Sequence, residues 1–250
     1  MAFNPISANM QPMLVFLVLI AGAFLAAAIS GAAGFGGALL LLPLLTRTVG
    51  VAEAVPLLTI AQLAGNLARV GFGYRSIAWR PVLIFLAFAL PAAALGALAF
   101  AALPGSVAVR LIGGVILLFV ILRRSGVLRL KPDARMLAAG GAAVGFLSGL
   151  AGSAGPLGAA VFLSLGLPPT AYIASEAVTA VAMHTVKSVV YGQTLVLGPG
   201  FWPMAAALSA AMVAGTWAAK RIIERLSATA FERWVTLLLV IVAVQMIVAG

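Results

Sequence analysis

Two sets of polar side chains stand inside otherwise apolar sequence. Gln62, Asn66 and Arg69 interrupt an apolar run over 51–72, and Glu176, His184 and Lys187 interrupt a second over 170–191. At helical spacing Gln62, Asn66 and Arg69 share one face. Glu176, Ala180, Met183 and Lys187 share another, with His184 at its edge. Amides, an imidazole and a cation on faces shielded from water suit the binding of an anion, since a charge in an apolar layer needs a partner or a watered cavity. Two glycine-rich stretches, SGAAGFGG at 30–37 and SGLAGSAGP at 148–156, add a second kind of ligand. Each breaks an apolar run and precedes a short apolar piece. The N–H groups at the start of that piece, at the positive end of its dipole, can hold an anion without any charged side chain. Candidate ligands are therefore Gly34, Phe35, Gly36 and Gly37 in the first break, and Gly152, Ser153, Ala154 and Gly155 in the second. Ser153 adds a hydroxyl, and Pro156 suits an early helical turn where no donor is needed.

Each feature also has a plainer explanation. Glycines in apolar helices are commonly small positions that let neighbouring helices approach. Arg69 and Lys187 lie near the ends of their runs, where a long side chain reaches the polar interface. Glu176 suits the N-terminal end of its helix. His184 fits either a core histidine or a proton carrier, because imidazole titrates near neutral pH. Recurrence favours the binding interpretation. A shift of 118 residues carries Ser30, Gly31, Gly34 and Gly37 onto Ser148, Gly149, Gly152 and Gly155, Asn66 onto His184, and Arg69 onto Lys187. Interrupted segments in corresponding halves point to a transporter's binding site.

The elements that position these residues are long apolar helices. With 64% hydrophobic and 8% charged residues and a mean hydropathy of +1.21, the chain is expected to be an all-α polytopic membrane protein. The first half reads as segments 13–31, 36–46, 51–72, 81–101 and 106–123; the second as 136–150, 154–166, 170–191, 201–219 and 231–249. Residues 1–123 form one transmembrane repeat, 124–135 a basic cytoplasmic linker, and 136–250 a second repeat. Each repeat contains a glycine-broken helix pair. The first twelve residues contain no Lys or Arg, so the first apolar stretch is expected to be a retained helix rather than a cleaved signal.

Charge orients the halves. Arg75 and Arg80 occupy the loop at 73–80, while its repeat partner at 192–200 has no basic residue; the 101–106 loop is uncharged, while its partner region holds Lys220, Arg221 and Arg225. Basic residues stay on the cytoplasmic side, so equivalent loops face opposite sides. Two inverted five-element repeats with both termini extracytoplasmic follow, Arg47 being the exception. The same distribution accounts for the net charge of +10 without a nucleic-acid partner. With no cysteine and one histidine, disulfides, thiol chemistry and a Cys/His metal centre are not expected. Five acidic residues and no nucleophile constellation argue against an enzyme, and no cofactor is expected.

The glycine-rich stretches at 30–43 and 148–158, the Asn66 region ending in YRSIAWR and the basic linker resemble the sulfite exporter TauE/SafE family of four-toluene-sulfonate-type anion transporters. The similarity covers most of the chain. Ala154 and Pro156 stand where that family commonly has glycine. The resemblance implies a multi-pass permease of the cytoplasmic membrane that exports or exchanges small, often sulfur-containing anions. The expected function is a secondary transporter for sulfite, a sulfonate or a related organosulfur anion, working by alternating access within membrane lipid and with proton coupling left open. A passive anion channel and a lipid-modifying membrane enzyme are the rivals.

Overall fold

The structure is a computed structural model. It describes residues 5–33, 37–104 and 133–222, with isolated positions 107, 110, 111, 114, 117 and 121 between them. The described residues form helices and no strand. These are α1 (Pro5–Ala33), α2 (Gly37–Val49), α3 (Val51–Gly73), α4 (Trp79–Ala102), α5 (Ala134–Ala151), α6 (Gly155–Leu163), α7 (Pro169–Thr194) and α8 (Phe201–Ile222), with a 3₁₀ turn at Tyr74–Ser76. The expected segments match these helices, most boundaries moving by a few residues and α1 starting eight residues earlier. Segment 106–123 is described only at the isolated positions, and 231–249 lies outside the described residues, as does all of the linker before Asp133.

Five helices among the described residues are long and apolar enough to cross a membrane: α1, α3 with its 3₁₀ turn, α4, α5 and α8. The chain is a multi-pass membrane protein. Its outer surface is apolar, with Leu14, Leu17, Leu83 and Leu95 each more than half exposed, as hydrocarbon requires. Trp79 and Trp202, exposed at the starts of α4 and α8, suit the polar interface. α7 is less apolar because its polar residues face protein: Ser175, Glu176, Thr179, His184 and Lys187 are all buried.

Local chemistry explains where the helices stop. Asp133 begins α5 by accepting the N–H of Met136 at 2.6 Å, a side-chain N-cap. Gly152 ends it at φ +76°, a left-handed conformation that glycine adopts without a Cβ clash. Chain reversal follows in both halves. On α5 and α6, Gly140 faces Val161 and Gly158 faces Val144; on α1 and α2, Gly22 faces Leu41 and Leu44, while Gly37 faces Ala26 and Ser30. Each short helix folds back antiparallel on the longer one before it.

The remaining pairings frame the core. α4 lies against α5, where Gly141, Gly145 and Gly149 face the backbone of Phe85, Ala89 and Ala93, so those two helices run parallel. α1 runs parallel to α8 in the same manner, with Gly215 against Phe24 and Gly31 against Ala219. Small residues here let backbones approach closely, the usual means of helix association in lipid. α3 and α7 cross at the centre and run antiparallel: Gly73 at the end of α3 meets Ala174, and Glu53 near its start accepts the N–H of Gly198 just after α7, at 3.1 Å. At the other end, Ser175 of α7 accepts the N–H of Ala78, just after α3, at 2.9 Å.

Candidate functional site

The polar faces of α3 and α7 meet inside the protein. Gln62, Asn66, Arg69, Glu176, His184 and Lys187 are all buried, Lys187 completely. Neither cation therefore reaches out to a polar interface, since both are held by protein groups.

Arg69 is held from two sides. Its Nη1 lies 3.2 Å from Oε2 of Glu176 across the α3–α7 crossing, and its Nη2 donates to Oδ1 of Asn66 one turn earlier on α3. Asn66 donates in turn to the Gln62 carbonyl at 2.9 Å. Glu176 is thus a partner in a buried ion pair rather than a simple helix-end carboxylate. Its other oxygen, Oε1, lies close to the first turns of α6, 3.9 Å from where a Cβ on Gly158 would stand.

Lys187 occupies a different setting. Its ammonium donates to the Gly152 carbonyl at 2.8 Å, to Ser148 Oγ at 2.9 Å and to the Ser148 carbonyl at 3.2 Å. An ammonium has three protons, so all of them are engaged. The C-terminus of a helix leaves its last carbonyls without partners and carries the negative end of the dipole. Lys187 satisfies both at the break after α5. Tyr191, one turn on, donates its hydroxyl to the Gly149 carbonyl of the same helix end. His184 lies between the two cations, within electrostatic range of both Lys187 and Arg69, and its Nδ1 is buried without a hydrogen-bond partner.

The second glycine break is well defined. Gly152, Ser153 and Ala154 are buried, and Ser153 Oγ accepts the N–H of Gly155 at 3.3 Å. That N–H is the first donor of α6, so Ser153 partly occupies the helix start. Gly152 faces Val55 and Leu58 of α3. Of the first break, Gly34, Phe35 and Gly36 lie outside the described residues. Gly37 is described and buried; a Cβ there would overlap the carbonyl of Ala26.

A pocket of about 170 Å³ opens between α1, α3, α7 and α8, and its wall includes Arg69, Phe72, Gly73, Thr170, Ile173 and Thr216. Arg69 supplies the charge, two hydroxyls stand nearby, and the remainder is apolar. Such a pocket fits a small anion with little polar surface elsewhere. A smaller pocket of about 40 Å³ lies at the opposite end of the crossing, bordered by Pro56, Tyr191 and Trp202 among others. The 118-residue shift lays Gly73 over Tyr191. Glycine stands at the wider pocket and a buried tyrosine at the narrower one.

The structure brings Asn66, Arg69 and Glu176 into direct contact, sets His184 between the cations, and joins Lys187 to Gly152. Thr170, Thr216, Ser148 and Tyr191 were not among the residues singled out from sequence. Ser148 was visible as the repeat partner of Ser30. The two threonines lie on separate helices, and nothing in their spacing joins them to Arg69. Among the described residues, no cluster of His, Asp and Glu could hold a metal ion.

The family profile described as sulfite exporter TauE/SafE matches residues 19–246, nearly the whole chain. No curated protein and no solved structure matches it.

Proposed function

Because the chain belongs to the sulfite exporter TauE/SafE family, we propose that it is a secondary transporter of small anions, sulfite or a sulfonate by preference, in the cytoplasmic membrane. One observation carries the proposal: a buried arginine, Arg69, borders a pocket that opens between α1, α3, α7 and α8. A buried guanidinium costs free energy unless paired, and at this place an entering anion meets a cation already held by Glu176 and Asn66.

The binding site of this proposal comprises Gln62, Asn66, Arg69, Glu176 and His184, with backbone donors from Gly34, Phe35, Gly36 and Gly37 and from Gly152, Ser153, Ala154 and Gly155. Lys187 is the counterpart of Arg69 for the conformation open to the other side; in the conformation described, α5 holds all three of its donors.

Alternating access follows from two inverted repeats, 1–123 and 136–250, joined by the linker at 124–135. The helix pairings support this arrangement. Exchanging each helix for its counterpart turns α1–α2 into α5–α6, α2–α3 into α6–α7, α1–α8 into α5–α4 and α3–α8 into α7–α4, and leaves α3–α7 unchanged; all of these pairings are present. The counterparts α3 and α7 are antiparallel, as inverted halves require. Rocking one half against the other would close the Arg69 pocket and open the Tyr191 end.

Counterflow in proteoliposomes tests the function. Liposomes preloaded with sulfite, methanesulfonate, ethanesulfonate or acetate should accelerate uptake of the labelled anion, with the sulfur anions preferred. A channel gives flux without counterflow, and no flux with any anion would refute transport of this class.

A further inference from the structure

Glu176 is 4% exposed, and its carboxylate is paired with Arg69. Oε2 lies 3.2 Å from Nη1 of Arg69 in a buried ion pair. The guanidinium is shared between this carboxylate and Asn66, to which its other arm donates. Arg69 also borders the pocket between α1, α3, α7 and α8. One cation therefore serves an internal carboxylate and any anion that enters.

Those two demands conflict. An anion on Arg69 brings a second negative charge beside a buried carboxylate, and two like charges in such a site do not both stay ionised. The surroundings supply little relief. α3 contributes Arg69 with the neutral Asn66 and Gln62. α6 contributes backbone near Gly158 and no ionisable side chain, while the ionisable residues of α4 and α5, Arg80 and Arg135, stand in their first turns. Tyr74 and Arg75 of the 3₁₀ turn are exposed and bonded to each other. On α7 itself, the neutral Tyr172 is buried one turn before Glu176, and His184 and Lys187 stand two and three turns further on. A proton on His184 would add a cation between two cations, whereas a proton on Glu176 offsets the arriving charge where it arrives.

We infer that Glu176 is the proton-coupling residue of this transporter: its carboxylate and the substrate anion are alternative partners of Arg69, and each anion bound there is accompanied by one proton taken up on Glu176. The site passes from a carboxylate paired with a guanidinium to a carboxylic acid beside a guanidinium paired with the anion. Its total charge is unchanged, so the loaded site can turn toward the other side of the membrane without carrying an extra charge. The inference rests on the transporter reading and names its coupling.

The test uses the purified full chain and whichever of methanesulfonate or ethanesulfonate gives counterflow, because sulfonates stay ionised across the working pH range. Binding in weakly buffered detergent solution, followed with a pH dye, should take up about one proton per anion, and Kd should rise about tenfold per pH unit on the alkaline side. Glu176→Gln should abolish proton uptake and flatten the pH dependence, while Glu176→Asp should retain both. Binding by the wild type without proton uptake would overturn the inference, as would uptake retained in Glu176→Gln. If Glu176→Gln does not fold, His184→Gln decides: uptake lost there assigns the proton elsewhere, and uptake retained supports Glu176. Counterflow without proton uptake refutes only the coupling, whereas absence of counterflow refutes the transporter reading itself.

Discussion

Replacing Lys187 by Met removes the ammonium while keeping an unbranched apolar stem in a fully buried position. Three acceptors lose their donor: the Gly152 carbonyl at 2.8 Å, Ser148 Oγ at 2.9 Å and the Ser148 carbonyl at 3.2 Å. The serine hydroxyl can turn to another acceptor, but the two carbonyls stay in place, and each stranded buried group costs about 1–3 kcal/mol. Against a gross loss of about 2–6 kcal/mol stands the relief of no longer burying an ammonium, itself several kcal/mol. The net is expected near 3 kcal/mol, roughly a hundredfold in the folding equilibrium, because the native ammonium is fully hydrogen-bonded and recovers much of its desolvation cost. Reversible unfolding in mixed micelles, followed by tryptophan fluorescence, measures it. A double-mutant cycle with Ser148→Ala should give a coupling of at least about 1 kcal/mol, since the two side chains touch. A Lys187→Met variant within about 0.5 kcal/mol of the wild type, or strict additivity with Ser148→Ala, would refute the claim that this lysine holds the end of α5.

Arg69→Gln should weaken sulfonate binding roughly ten- to a hundredfold by removing one charge-assisted contact, and an unchanged Kd by calorimetry would remove Arg69 from the anion site. Gly145→Val should lower stability by about 1–3 kcal/mol or more, because its Cβ would overlap the Ala89 carbonyl and force α4 from α5; thermal unfolding checks it against Gly71→Ala, whose Cβ meets nothing within 4 Å. In this cysteine-free chain, Ser76→Cys and Val196→Cys, at exposed positions in the turns after α3 and α7, should label from opposite sides of the membrane with an impermeant maleimide. Labelling of both from one side would contradict the inverted repeat.

Much of the architecture is legible along the chain because its causes are local. An apolar run long enough to cross hydrocarbon has to be a helix, so α1, α3, α4, α5 and α8 are written in composition alone. The second break is equally local: Gly152 can take a positive φ, and a proline follows early in the next helix. Periodicity identifies which face of α3 and of α7 carries Gln62, Asn66, Arg69, Glu176 and Lys187. What a face meets depends on how helices cross, and no spacing within one helix records that. Arg69 and Lys187 are equivalent cations under the 118-residue shift, each near the end of its helix. Tertiary structure separates them: the crossing of α3 and α7 pairs Arg69 with Glu176 beside an open pocket, whereas the end of α5 takes every donor of Lys187. The glycines divide in the same way. Gly141, Gly145 and Gly149 serve close backbone approach to α4, and Gly152 turns the chain. Sequence shows that these positions lack a side chain, and only the neighbouring helix decides whether the space is filled by backbone or left for a turn.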